Sequence, residues 1–329
     1  MLFTFLVSVM GNSLVIYVIT KHRSMRTSTN CLIMNLAICD ILTTLILTRS
    51  LVIQLFAGDK WFGGTIGRIT CKVLAAFGIS VLLFCSVFNF VAIAIDRFLA
   101  VSQPLTYKLS SKWVVKIAIP ATWLASALLA IEPVMSTQIE YYGGDGTPKS
   151  IKSEVSSQEH HLISATCLVV SFVVLIDLYS IIAYRLWRRN IPGEVSNSQH
   201  ALAIRTARNV TVLMIPVVLI TSVILWSPAS VIMILLINGN PIYNTAVENP
   251  FLYAFGYWLF SNNSACNPCL YFIFIESFRQ SLKIVCSQYC APELRLCPIG
   301  HARERRFETE ERTTELTSYR TVSHKGAPP

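Results

Sequence analysis

Long apolar runs separated by short polar connections dominate the chain. Seven of them lie at about 2–19, 30–56, 69–101, 114–134, 162–187, 210–237 and 250–275. A bilayer-spanning helix needs about 20 mostly apolar residues, so each run is read as a span. The first is taken as a retained span, not a signal peptide. It is too long for one, and no small-residue cleavage site precedes Lys21. The pattern predicts an all-α membrane protein, a seven-transmembrane helix bundle. Residues 276–286, Glu276 to Cys286, alternate apolar and polar positions as an amphipathic helix lying on the membrane lipid. The membrane-spanning domain with its surface helix is thus 1–286, and 287–329 is expected to be a disordered polar tail.

Composition agrees. The 329 residues are 53% hydrophobic and only 14% charged, against about 25% charged in a soluble domain. Mean hydropathy is +0.54. A disordered chain has the opposite balance. The net charge of +9 does not indicate nucleic acid, because the basic residues sit between apolar runs. Ten cysteines in so long a chain do not make a disulfide scaffold. No internal repeat or Gly-rich phosphate loop is found, which argues against duplicated transporters and ATP-driven pumps.

The basic residues orient the bundle. With the C-terminus inside, the internal connections carry 14 Lys and Arg before the tail, and the external side carries six. The N-terminus is therefore expected outside and the C-terminus in the cytoplasm. Residues 135–161, rich in Ser, Gly and charge, are expected to form an external loop.

Polar residues inside the runs need partners. An Asp at mid-membrane costs about 2.5–3.5 kcal/mol on insertion scales. Asp40 lies in the second run and Asn12 in the first, while the seventh holds Asn262-Asn263-Ser264-Ala265-Cys266-Asn267-Pro268. These stripes are expected to face one another. A carboxylate ringed by hydroxyl and amide oxygens is a site for a small hard cation; an interhelical hydrogen-bond network is the alternative. The third run ends Asp96-Arg97-Phe98, and this adjacent Asp–Arg couple is read as a helix-end ion pair. The sixth holds Trp226-Ser227-Pro228 and the seventh Pro268; each proline removes a helix hydrogen bond and kinks its span.

Together these residues resemble the rhodopsin-like (class A) G-protein-coupled receptors. The likeness runs from Gly11 to Arg279 and takes in Asn12, Asp40, Trp61-Phe62-Gly63, Asp96-Arg97-Phe98, Trp123, Tyr179, Trp226-Ser227-Pro228 and Asn267-Pro268-Cys269-Leu270-Tyr271. It implies a plasma-membrane receptor that passes ligand binding to a heterotrimeric G protein and catalyses no covalent chemistry. Arg97, released from Asp96, would face the G protein with Phe98, Tyr179 and Tyr271, and Leu105 would be the apolar anchor of the second internal loop. Trp226, Pro228, Asn267 and Pro268 would carry the activation movement. Asp40, Ser86, Asn263, Ser264 and Asn267 would form a sodium pocket; no other cofactor is implied. Cys71 matches the outer-end cysteine of the third span, yet 135–161 has no Cys to pair with it.

Ligand class follows from the same likeness. The Gly78-Ile79-Ser80 stretch has no acid for a monoamine, and the Tyr257-Trp258 stretch has no lysine for retinal. The stretches 183–189 and 258–264 are similar to neuropeptide receptors of the galanin, neuropeptide FF and tachykinin kind, so a peptide ligand is expected. Arg49, Glu132, Ile79, Trp226, Tyr253 and Tyr257 are the candidate pocket. Snorkelling and aromatic belts are the alternative for the charged and aromatic members. Cys286 and Cys290 are read as palmitoylation sites or ordinary thiols. Tail hydroxyls from Thr309 to Ser323 are read as sites where receptor kinases prepare arrestin binding.

Several positions depart from the family. The Cys71–Arg97 interval is one residue longer, Ser171 replaces a proline, Ser222 replaces a Phe, and Pro216 and Asp177 are additional. They motivate a rival reading: a divergent receptor-like protein acting as scaffold, decoy or constitutively active receptor.

Overall fold

The computed structural model describes residues 2–57, 64–142, 147–152, 154–188, 221, 224, 225, 231 and 249–289. The predicted sixth run, apart from Thr221, Ile224, Leu225 and Val231, and the tail beyond 289 lie outside the described residues.

Helix α1 (Leu2–Lys21) leads through a 3-10 turn (Arg23–Met25) into α2 (Ser28–Ala57). The turn is tied on both sides. Arg26 donates to the Thr20 carbonyl at 2.5 Å, and Asn30 Nδ2 donates to the Met25 carbonyl at 2.8 Å. Thr27 Oγ1 accepts the Asn30 N–H at 3.3 Å, satisfying one of the donors that a helix start leaves open. The third span comprises α3 (Gly64–Thr70), a π-helical segment (Cys71–Gly78) and α4 (Ile79–Ser102). Then come α5 (Pro104–Leu129), α6 (Ile131–Ser136), α7 (Glu154–Arg188), α8 (Pro250–Phe274) and α9 (Glu276–Tyr289).

The π-helical segment explains the long third interval. A π turn closes on residue i−5 instead of i−4, so it holds one more residue in each hydrogen-bonded ring. The additional residue between Cys71 and Arg97 is absorbed there without a break in the span. Gly78 closes the segment, and a Cβ on it would lie 3.2 Å from the Val73 carbonyl and 3.4 Å from Ile46.

The structure corrects three boundaries. Residues 135–161 are not an irregular loop: β1 (Thr137–Tyr142) and β2 (Thr147–Lys152) pair antiparallel, Thr137 opposite Lys152 and Tyr142 opposite Thr147. The fourth span, predicted to reach 134, ends at Leu129 with a turn at Ala130. Pro133 has no N–H to give the Leu129 carbonyl, which weakens the helix at this point, although α5 and α8 run on through Pro120 and Pro268. The fifth starts at Glu154, ahead of the predicted 162. Once nucleated, a helix extends through polar residues at little cost.

Among the described residues, five stretches are long and apolar enough to cross a membrane: Leu2–Lys21, Ser28–Arg49, Gly64–Ser102, Lys112–Leu129 and Ala165–Leu186. Helix α8 is long enough, at 25 residues. Its amides at Asn262, Asn263 and Asn267 lower its hydropathy. Helix α4 sits centrally against α2, α5 and α7, while α1 packs on α2 and α8, and α8 returns to α2.

Polarity is inverted relative to a soluble protein. Leu6, Leu45, Ile117, Leu124, Leu128, Val169, Val170 and Ile176 are exposed, whereas Ser8, Asn12, Asn35, Asp40, Thr44, Asn89 and Asn267 are buried. Lipid solvates the first set, and the second must be satisfied internally. Where α8 passes into α9, Phe278 of α9 is fully buried, stacked on Tyr271 at 6.0 Å and edge-on to Phe272 at 5.8 Å. It joins Val15, Val18, Ile19, Met25, Ile33 and Ala37 in one core.

The α1–α8 contact depends on a missing side chain. A Cβ on Gly11 would lie 2.8 Å from Pro268 Cγ. Overpacking of this kind costs about 1–3 kcal/mol. Gly11→Val should therefore lower the melting temperature of the solubilised protein by several degrees. An unchanged value would show that α1 and α8 separate there freely.

Candidate functional site

Buried polar side chains form a connected interior, and α1, α2, α4 and α8 supply most of it. Asp40 is fully buried, and its Oδ2 accepts from Asn267 Nδ2 at 2.8 Å. Asn12 Nδ2 donates to the Ser8 carbonyl at 2.9 Å and to the Ser264 carbonyl at 3.0 Å. Ser8 and Thr44 hydroxyls lie 2.7 Å apart, and Thr44 Oγ1 donates to the Asp40 carbonyl at 2.8 Å. The predicted stripes of spans one, two and seven thus meet through Asn12, Asp40, Ser264 and Asn267. Ser86 and Asn263 are also buried, but among the described residues no hydrogen bond joins either to Asp40.

Two acceptors are left over. Asp40 Oδ1 and Asn12 Oδ1 are buried and meet no hydrogen-bond donor among the described residues. Buried polar atoms are ordinarily satisfied. Carboxylate, amide and hydroxyl oxygens are the donor set that a hard cation prefers. The residues present therefore fit a sodium ion.

Sequence reasoning missed Ser8 and Thr44. The signal was there: Thr4, Ser8 and Asn12 recur at four-residue intervals, as do Asp40 and Thr44, which puts each set on one helix face.

A second network crosses spans two, three and four. Trp123 Nε1 donates to Asn35 Oδ1 at 3.0 Å, Asn35 Nδ2 to Asn89 Oδ1 at 2.8 Å, and Asn89 Nδ2 to the Cys85 carbonyl at 2.8 Å. At the start of α1, Trp258 Nε1 donates to Thr4 Oγ1 at 3.1 Å, tying α8 to α1.

The Asp96 end of α4 differs from expectation. Asp96 is fully buried and accepts from Thr29 Oγ1 of α2 and, at 2.8 Å, from the Tyr107 hydroxyl of α5. No ion pair joins it to Arg97 among the described residues. Neighbours on one helix point about 100° apart, so Asp96 faces inward and Arg97 is exposed. Burial, then the hydrogen bond to the Asp96 carboxylate, holds the Tyr107 phenol above its ordinary pKa. Phe98 receives the Arg185 guanidinium of α7 at 5.3 Å from its ring centroid. Tyr179 is half-buried and Tyr271 buried. Leu105 lies in the first turn of α5, with its side chain outside the described residues.

The ligand-pocket candidates are only partly placed. Arg49 on α2, Ile79 at the start of α4 and Glu132 on α6 are half-buried. Tyr253 and Tyr257 lie on α8, but their side chains are outside the described residues, as are Trp226 and Pro228 entirely. Cys71 opens the π-helical segment and Cys286 lies in α9, both without described side chains, and Cys290 is outside.

Comparison with known proteins accords with this architecture. Residues 11–271 match the family model "7 transmembrane receptor (rhodopsin family)". The bovine (Bos taurus) substance-K receptor is 28% identical over 320 residues, covering 93% of this chain and 81% of the relative. The neuromedin-K receptor of Cavia porcellus is 29% identical, covering 90% and 64%. The tachykinin-like peptides receptor 86C of Drosophila melanogaster is 27% identical, covering 95% and 61%. The chain thus spans less than two thirds of the latter two relatives. With the inverted polarity of its helices and a family match reaching from the first span to the seventh, this chain belongs to the rhodopsin family of seven-transmembrane receptors.

Proposed function

We propose that this chain is a plasma-membrane receptor that couples an extracellular neuropeptide of the tachykinin kind to a heterotrimeric G protein. The observation that carries this reading is the similarity to the substance-K receptor across 93% of the chain. The N-terminus lies outside and the C-terminus inside, as the excess of basic residues in the internal connections supports. Peptide binds at the outer ends of the spans, where Arg49, Ile79, Glu132, Trp226, Tyr253 and Tyr257 line the pocket. It binds the active arrangement more tightly than the resting one, and that difference in affinity is the whole driving force of the switch. Arg97 then meets the G protein, beside Phe98, Leu105, Tyr179 and Tyr271. Cys286 and Cys290 carry lipid, and the tail hydroxyls from Thr309 to Ser323 are the sites that receptor kinases phosphorylate and arrestin then binds. Displacement of labelled tachykinin-like peptides from cells expressing the chain tests the reading. Saturable binding supports it, and absence of binding at confirmed surface expression opposes it.

Asp40, with Ser86, Asn263, Ser264 and Asn267, would hold a sodium ion, whose positive charge would favour the resting arrangement. Asp40→Asn removes the charge that would hold the ion and keeps the shape. Peptide affinity in the wild type should differ between sodium chloride and choline chloride, and in Asp40→Asn the two displacement curves should coincide. A persisting difference would place the ion elsewhere.

A further inference from the structure

The interior holds a feature that receptor switching does not use. Cys39 of α2 and Cys85 of α4 are both fully buried, and their sulfurs lie 3.3 Å apart, with the Cys39 thiol donating to Cys85. Asn89 Nδ2 stands 3.4 Å from the Cys85 sulfur and 3.9 Å from that of Cys39. Leu82, Ile46 and Trp123 enclose the pair. Two sulfurs in van der Waals contact need to close by only about 1.2 Å to reach the S–S bond length of roughly 2.05 Å. The Cys85 sulfur accepts from both the Cys39 thiol and the Asn89 amide. Whichever sulfur is oxidised first, the other already stands in contact with it, as a resolving thiol must.

We infer that Cys39 and Cys85 are a redox-active dithiol that a small peroxide oxidises to a disulfide between spans two and three. In the first step the Cys85 sulfur attacks a hydrogen peroxide oxygen. The O–O bond breaks, Cys85 becomes a sulfenic acid, and the departing hydroxide takes the Cys85 proton to leave as water. In the second step the Cys39 sulfur attacks the Cys85 sulfur. The S–O bond breaks, the S–S bond forms, and the leaving oxygen takes the Cys39 proton as a second water. Two thiols are oxidised and both peroxide oxygens are reduced. The bond joins positions 46 residues apart and fixes α2 against α4 directly beside Asp40 and Ser86, the next residues on each helix. The inference does not depend on the ligand or on G-protein coupling.

The test uses the full chain in nanodiscs, exposed to graded hydrogen peroxide, denatured, and alkylated with one isotopic label before reduction and another after. Cys39 and Cys85 should lose the first label together, at a peroxide concentration that leaves Cys31 and Cys167 reduced. A linked peptide pair two mass units lighter than the two thiol peptides should appear and be released by dithiothreitol. In Cys39→Ser, Cys85 should stop at a sulfenic acid that dimedone traps. The inference is overturned if Cys39 and Cys85 stay alkylatable while Cys31 and Cys167 oxidise, or if Cys85 reaches sulfinic acid in the wild type with no linked pair. The wild-type mapping decides the matter even where the variant does not fold.

Discussion

Arg97→Ala should abolish nucleotide exchange on the G protein while leaving surface expression close to wild type. The two halves of that expectation have separate physical sources. Arg97 is exposed near the C-terminal end of α4, and exposed substitutions change stability by about 0.5 kcal/mol or less. Had Arg97 been the partner of Asp96, its removal would have stranded a buried carboxylate. Thr29 and Tyr107 hold that carboxylate instead, so the fold does not depend on the arginine. On the proposed reading Arg97 would give the G protein a charged hydrogen-bond donor, worth about 1.5–3 kcal/mol, or roughly 10–100-fold in the coupled equilibrium. Surface labelling and exchange assays on the same cells check both halves. Exchange at the wild-type level would remove Arg97 from the G-protein contact.

Asn35→Leu should be among the most damaging substitutions in the bundle although it touches neither ligand nor G protein. Asn35 accepts from Trp123 and donates to Asn89. Leucine strands an indole N–H and an amide oxygen together, at about 1–3 kcal/mol for each orphaned group. Membrane bundles relax toward the lower end, since interhelical bonds there average near 0.6 kcal/mol in double-mutant cycles. Trp123→Phe strands only the Asn35 oxygen. The solubilised protein should therefore melt lowest for Asn35→Leu and at an intermediate temperature for Trp123→Phe. In Asn35→Leu/Trp123→Phe the loss should be smaller than the sum of the two. Strict additivity would mean that the two side chains do not share a bond.

Much of this architecture is legible in the chain because lipid imposes a simple rule. A span must be apolar for about 20 residues and must satisfy its own backbone. The starts of α1, α2 and α8 were accordingly readable to within two residues. The Asp40–Asn267 contact was legible for the complementary reason: polar groups this costly in lipid must find one another. What escaped were features set by partners distant in sequence or by backbone pairing. Nothing local to Asp96 announces Thr29, 67 residues away, and proximity along the chain favoured Arg97 instead. The β1–β2 hairpin is held by backbone hydrogen bonds between two six-residue strands, one of them carrying Pro148. Ile139 and Tyr141 do alternate with Gln138 and Glu140, but so short an alternation does not stand out beside the long apolar runs, and β2 has little pattern of its own. The longer Cys71–Arg97 interval was visible in the sequence, but the form that absorbs it, a π-helical stretch ending at Gly78, needed the backbone.

The central claim is that this seven-helix chain transmits peptide binding to a G protein. Guanine-nucleotide exchange on purified Gα subunits of each main class tests it most directly. The assay uses membranes bearing the chain, with and without tachykinin-like peptides, and membranes bearing the bovine substance-K receptor as a positive control. The account expects peptide-dependent exchange on at least one Gα class, saturable in peptide and lost in Arg97→Ala. The contradicting result is exchange that no peptide changes, at verified surface density and with the control receptor responding.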